Sequence, residues 1–376
     1  GCAFAGTKLK VLDLPDNIIH LGERMLDGNT EITEIEIPKT LKDVGTNGLT
    51  TNGPFTGSNI QTAIIEEGTT TIPAHLFNNS NELKSIDIPE SVTVIGGCAF
   101  AGTKLKVLDL PDNITHLGER MLDGNTEITE IEVPKTLKDV GTNGLSTNGP
   151  FTGSNIQTAI IEEGTTTIPA HLFDNSNELK SIDIPESVTV IGGRAFAGTK
   201  LKVLDLPDNI THLGERMLDG NTEITEIEIP KTLKDVGTNV LSTNGPFTGS
   251  NIQTAIIEEG MTTIPAHLFH SSHTLEKVDI PKSITKIDAY VFSRCTNLSE
   301  IVIPESVTEI GARVFMESTK LKNVILPETI NDIGDAAFEG CTSLEEIILP
   351  ESITIIRNSV FKNCTELKNF KCSDKL

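Results

Sequence analysis

The chain has 376 residues, with 53 acidic against 30 basic side chains and a net charge of −23. That balance disfavours nucleic acid and anionic membrane surfaces, which need clustered Lys and Arg, and no stretch reaches the roughly 18 apolar residues of a membrane span. A globular chain of this length would usually divide into two or more domains, but a stack in which each turn is buried only by its neighbours escapes that limit.

Read from its start, the chain copies itself. Gly1-Cys2-Ala3-Phe4 matches Gly97-Cys98-Ala99-Phe100. Residues 2–97 recur as 98–193 with four changes: Ile19 becomes Thr115, Ile37 becomes Val133, Thr50 becomes Ser146 and Asn78 becomes Asp174. A third copy begins at Arg194, stays close through Phe269, then diverges. The chain begins in mid-pattern, so targeting, capping or anchoring segments upstream are expected to be missing from this sequence. A catalytic site gathers unlike residues at one place, whereas copies set like residues at intervals. The expectation is a repeat scaffold, not an enzyme.

Each block holds four shorter units. Their anchor is the apolar residue ending a Leu-x-x-Ile-x-Ile strand: Leu14, Ile37, Ile65, Ile88 and onward through Ile257, Ile280, Ile303, Leu326, Leu349 and Cys372. The steps run 23, 28, 23 and 22 within a block, then a steady 23 from Ile257. In the unit from Leu179 to Phe196, Ile182 and Ile184 lie two apart and share one strand face, with Ser181 and Asp183 on the other. Pro185 ends the strand for want of an N–H. Val188 and Ile191 supply a second extended piece, Gly192-Gly193 turns the chain, and Ala195-Phe196 is expected to begin a short helical turn. Thirteen of the fourteen Phe fall at this one repeat position, from Phe4 to Phe361, with Leu26, Leu122 and Leu218 in three further slots. So regular a column reads as stacked core.

A period of 20–29 with this pattern reads as leucine-rich repeat. The predicted fold is one right-handed, strand-rich leucine-rich-repeat solenoid over residues 1–376. It has about sixteen turns, a parallel sheet on the concave face and short helical turns. At about 4.8 Å per strand its length is of order 75 Å.

The unit Leu-x-x-Ile-x-Ile-Pro-x-Ser-Val-Thr-x-Ile-Gly-x-x-x-Phe, seen from Leu298 to Phe315 and Leu344 to Phe361, resembles the BspA-like leucine-rich repeats of bacterial and some protist surface proteins. The resemblance covers essentially the whole chain. It implies an extracellular or surface-displayed protein-binding module, in some members an adhesin for host surface or matrix proteins. No catalytic motif carries over. The 28- and 22-residue turns and the 96-residue super-repeat depart from the family pattern.

No cofactor or metal is expected. Cys295, Cys341 and Cys364 share one column, three residues before the strand Leu, where other turns carry Ser176 or Asn125, and read as reduced, buried thiols. Adjacent turns would put Cys341 and Cys364 roughly 5 Å apart, but parallel Cβ directions argue against a disulfide. Cys2 and Cys98 lie four turns apart and cannot bond within the chain. No Cys-x-x-Cys pair offers converging ligands. His20, His116 and His212 lie on the second extended piece, and His75, His171 and His267 before the Phe column. His267, His270 and His273 cluster in sequence, for which a solvated surface is expected over a metal site. Repeated Asp and Glu columns do not offer the unlike environments of a glycosidase pair, and the Gly-rich loops lack the Lys-Ser/Thr of a P-loop. The extra loop of the long turns, Gly141 to Pro150 and its copies, would expose Leu49, Leu145 and Leu241. Identical loops at intervals would suit multivalent binding, though an expanded loop spread by duplication is the simpler reading.

The outward strand positions change character along the chain. The later column is acidic through three blocks, with Ile64, Ile160 and Ile256 at every fourth turn, and ends in Val302, Ile325 and Ile348 before Lys371. Beside these lie Glu300, Asn323 and Glu346. A β-branched stripe rimmed by polar groups is a candidate protein-contact surface; the alternative is ordinary cross-strand pairing without a partner. Two functions follow: a surface-displayed binding or adhesion module, or a structural spacer that holds another domain away from a cell wall.

Overall fold

A computed structural model describes residues 1–45, 52–141, 148–237 and 244–371. The described residues form two compact units, one within residues 1–185 with 198–200 and one within residues 186–197 with 201–371. In each, the chain runs as stacked coils whose three sides are a first strand, a second, shorter strand and a segment carrying the Phe.

In the first unit, Glu34–Ile37, Thr62–Ile65 and Ser85–Asp87 form one parallel sheet, and Glu130–Val133, Thr158–Ile161 and Ser181–Asp183 form its copy. Alternation sets the register. Along Glu130–Val133 the acids are exposed while Ile131 and Val133 are buried, so a slip of one residue would put carboxylates into the core. The second strands make sheets of their own: His20–Gly22 with Asp43–Gly45, and Thr71–Ile72, Val94–Ile95, His116–Gly118 and Asp139–Gly141 in that order. Gly118 is required by close backbone approach, because a Cβ there would stand 2.1 Å from Gly97 N.

In the second unit, Glu226–Ile229, Thr254–Ile257 and Lys277–Asp279 repeat the three-stranded sheet. Glu300–Val302 then pairs with Asn323–Ile325, and Glu346–Ile348 with Asn369–Lys371. On the second side, Val190–Ile191, His212–Gly214 and Asp235–Gly237 pair in succession, as do Thr263–Ile264, Lys286–Ile287, Glu309–Ile310 and Asp332–Ile333.

The expected helical turns at the Phe are corrected: no helix is present among the described residues. The reason lies in the backbone. In most coils the residues two before and two after the Phe adopt positive φ, as at His75 (62°) and Asn79 (58°) around Phe77; before Phe55, Phe151 and Phe247 the leading position, Gly53, Gly149 or Gly245, does not. Alternate N–H groups then point along the stack: His75, Phe77 and Asn79 donate to the carbonyls of Gly97, Ala99 and Ala101 in the next coil, while Leu76, Asn78 and Ser80 close turns onto residues three back. A helix would spend all these donors within the coil; here half of them join coils. Phe rings stack on one another with centroids 5.3–6.1 Å apart, and Phe55, Phe77, Phe100, Phe151, Phe173, Phe196, Phe247, Phe269, Phe292, Phe315 and Phe338 are fully buried. Each burial is worth roughly 1.5–3 kcal/mol of transfer free energy.

A second departure is the 22-residue turn. Residues 105–110 and 201–206 carry the strand pattern but form no strand. Leu105 and Leu108 are still buried. What holds this coil is a buried side chain: Asn125 Nδ2 donates to the carbonyls of Thr103 and Leu105, and its Oδ1 accepts from the amides of Glu127 and Ile128.

Candidate protein-interaction surface

Three consecutive first strands of the second unit present β-branched side chains outward. Ile301, Ile347 and Val324 turn into the core, so the pleat sends their neighbours Val302, Ile325 and Ile348 the other way, at 63 %, 62 % and 54 % exposure. Val302 lies opposite Ile325 in register, and Glu300 opposite Asn323. Ile348 lies opposite Lys371 and Glu346 opposite Asn369. Glu300, Asn323 and Glu346 are exposed beside the apolar row. Ion pairs stand at both ends: Lys277 with Asp279 at 2.9 Å and Lys371 with Glu346 at 3.4 Å. The same column in the copied blocks differs. Ile160 is half-buried between Glu132 and Asp183, as Ile64 is between Glu36 and Asp87.

The Cys column lies where the repeat placed it, with Cys295 and Cys341 buried as expected but Cys364 only half-buried. Cys295, Cys341 and Cys364 donate Sγ–H to the carbonyls of Phe269, Phe315 and Phe338 in the preceding coil, at 3.0–3.1 Å, and Ser318 Oγ does the same to Phe292. Burial pushes the Cys295 and Cys341 thiols well above their ordinary value, and Cys364 upward as well. Cys2 is exposed and Cys98 partly so. Cys372 and the loop leucines Leu49, Leu145 and Leu241 lie outside the described residues.

Sequence reading missed the partners of the histidines. His20, His116 and His212 each bond Asp43, Asp139 and Asp235 one coil on, through Nδ1 and a carboxylate oxygen. A Gly stands close beside each ring: a Cβ on Gly141 would lie 2.7 Å from His116 Nε2, so a side chain there would push the imidazole aside. The Asp lies 23 residues after its His, one turn of the repeat, and that spacing was the available signal. Also unforeseen is a notch lined by Lys106, Val107, Asp109, Asp112, Glu130 and Glu162, about 550 Å³, where residues 105–110 leave the ladder; it recurs at residues 10–66 and 202–258. Glu162 there is bound by the amide and ammonium of Lys135, which hold its carboxyl below the ordinary range.

The expectation of a solvated surface at His267, His270 and His273 is corrected for His270. The residue is 3 % exposed, with its ring edge-on to His267 and Tyr290, because its repeat position, one after the Phe, is the buried one that Asn78 and Asp174 fill in the other copies. His273 is exposed. Among the described residues, no group of three His, Cys, Asp or Glu is placed to hold a metal ion, and no helix is long and apolar enough to cross a membrane.

The family model described as "BspA type Leucine rich repeat region (6 copies)" matches residues 1–52, 49–149, 147–275 and 262–376. No curated protein matches the sequence. Among solved structures, the chain is similar to a leucine-rich repeat protein from Bacteroides ovatus, at 24 % identity and a TM-score of 0.67, over 95 % of this chain and 88 % of that one. A leucine rich cell surface protein from Faecalibacterium prausnitzii matches at 24 % identity and a TM-score of 0.40, over 95 % and 83 % of the two chains. The first likeness shows the fold: a parallel-strand solenoid of leucine-rich-repeat type. Matched along its length by the repeat model, the chain belongs to the BspA-type leucine-rich-repeat family.

Proposed function

We propose that this chain is a non-catalytic protein-binding module displayed at a cell surface, and that Val302, Ile325 and Ile348 form the centre of its contact, with Glu300, Asn323 and Glu346 as the rim. The observation that carries the reading is the row of three β-branched side chains, each more than half exposed, on neighbouring strands. A dry centre with a polar rim is the anatomy of a protein contact. The family of repeats supports the surface location and an interaction role, and solenoids build extended binding surfaces from their repeated strands.

The test is binding of host surface and matrix proteins by wild type and by Ile325→Asp. The substitution places a charge where the contact would be desolvated, so binding should fall at least tenfold with folding unchanged. Asp109→Ala and Asp205→Ala, exposed on the copied blocks, should bind as wild type. Equal binding by Ile325→Asp for every partner found rejects the surface.

A second reading has its own observation. Four differences in 96 positions between the first two blocks suit a spacer, in which length matters more than local detail. On that reading, removing one whole block shortens the chain's reach and leaves all binding intact.

A further inference from the structure

We propose that the turn from Pro265 to Leu275 is an acid-sensitive joint, in which protonation of the buried His270 ring opens the segment as the pH falls from neutral towards 5. The turn occurs in three copies. In the first, His75 bonds Asn78 at 3.1 Å; in the second, His171 bonds Asp174 at 2.8 Å. In the third, His267 stands at the same place but its partner position holds His270. Among the described residues, neither ring nitrogen of His270 has a hydrogen-bond partner, nor has His267 Nδ1. Two imidazoles thus replace a bonded pair.

The surroundings oppose a positive charge. His270 is almost fully buried, with the His267 ring at 5.5 Å and the Tyr290 ring at 6.1 Å, both edge-on. His267 itself stacks on Tyr290 at 4.7 Å, and the Arg313 guanidinium lies over the other side of the contact at 5.4 Å from that ring and bonds Tyr290 Oη. The groups acting electrostatically on His270 are His267 and His273 in its own segment and Arg294 in the next coil, all cationic when charged. Arg294 is already engaged by Glu317 at 2.7 Å. The preceding coil offers Gly245 and Thr248, both uncharged; Thr248 Oγ1 donates to His270 O, and a Cβ on Gly245 would come within 3.1 Å of His270 N. Burial first, then these cations, push His270 down to about 4 from its ordinary 6.5, and burial lowers His267 too.

The sign follows from linkage. Above 6.5 the ring is neutral whether the turn is closed or open. Between 6.5 and about 4 the open turn takes up a proton that the closed turn refuses, so closure weakens as the pH falls. Taking those two values, the open population should rise about 20-fold between pH 7 and pH 5. The joint stands between the copied blocks and the regular 23-residue turns that carry Val302, Ile325 and Ile348.

Hydrogen–deuterium exchange of the full chain tests this, read as protection factors corrected for intrinsic exchange. Residues 265–275 should lose about 20-fold in protection between pH 7 and pH 5, while residues 169–176, where Asp174 partners the ring, serve as the internal reference. His270→Asn restores the pairing of the first copy and should remove the larger part of the pH dependence, leaving only the share that burial of His267 carries. The ring proton signal of His270 in wild type, followed by NMR, should titrate near 4. The proposal is overturned if His270 titrates at or above 6, if protection at 265–275 falls no more than at 169–176, or if His270→Asn keeps the wild-type fall.

Discussion

The copied blocks and the regular C-terminal turns share one core plan but complete it differently. In the blocks the Phe column is interrupted every fourth turn by Leu26, Leu122 or Leu218, and beside each stands a buried Asn: Asn29, Asn125, Asn221. From Phe247 to Phe361 the rings stack without a break, and the column three residues on holds Ser or Cys. Outward, the blocks repeat acids while the regular turns show Val302, Ile325 and Ile348. Inward residues tolerate only substitutes of like volume, whereas outward positions can change freely. The lesson is that the region where copying stopped is where the surface acquired a distinct character.

The largest expected effect bears on the aromatic column. Phe292 lies between Phe269 at 5.6 Å and Phe315 at 5.5 Å, while Phe100 stacks on Phe77 at 6.1 Å and its amide donates to Met121 O in the next coil, where Leu122 fills the aromatic slot. Phe292→Ala should cost about 3–5 kcal/mol, and Phe100→Ala about 1 kcal/mol less for the missing ring contact. Denaturant unfolding followed by exchange should place each loss in the mutated turn. Equal losses at the two sites would dissolve this distinction between the regions.

Next comes the polar column. Asn125 closes bonds to two carbonyls and two amides in a fully buried place, so Asn125→Ala should cost about 2–3 kcal/mol by leaving them unpaired. Cys295 makes one bond through a weak donor, and Cys295→Ser, which copies the arrangement of Ser318, should cost less than about 1 kcal/mol. A loss at Cys295 as large as that at Asn125 would show that thiol packing, not hydrogen bonding, governs the column.

The same burial governs reactivity. Because the thiolate is the reactive form and burial holds Cys295 and Cys341 protonated, neither should react with a thiol reagent at pH 8 until the chain unfolds, while exposed Cys2 reacts at once. Counting labelled thiols by mass spectrometry checks this; labelling of Cys341 at the rate of Cys2 would contradict the buried column. The smallest effect is expected at the stripe itself: Ile325→Asp should change stability by less than about 0.5 kcal/mol, whereas Val324→Asp, one residue away and facing inward, should unfold its turn. A cooperative melt of Ile325→Asp below that of wild type by more than a few degrees would make the stripe part of the core.

Much of this was legible in the residues. A period near 23 fixes which residues share a column, and alternation fixes which face the core, so the stacked Phe, the Cys ladder and the exposure of Val302, Ile325 and Ile348 were all readable from the residues. Both rules depend only on the spacing of apolar side chains, which the sequence by itself determines. Other features depend on the backbone and on the neighbouring coil. The positive φ at His75 and Asn79 is adopted by residues as unlike as Cys98, Arg120 and Tyr290, so no residue type announces it; it arises because alternate amides must reach the next coil. The missing strand at residues 105–110 has the same apolar pattern as its neighbours; the 22-residue step set this turn apart, but not that its strand would give way to the bonds of Asn125. The pairing of His116 with Asp139 and the burial of His270 likewise required knowing which coil lies against which. Local chemistry chose the columns; contact between coils decided the hydrogen bonds and the charges within them.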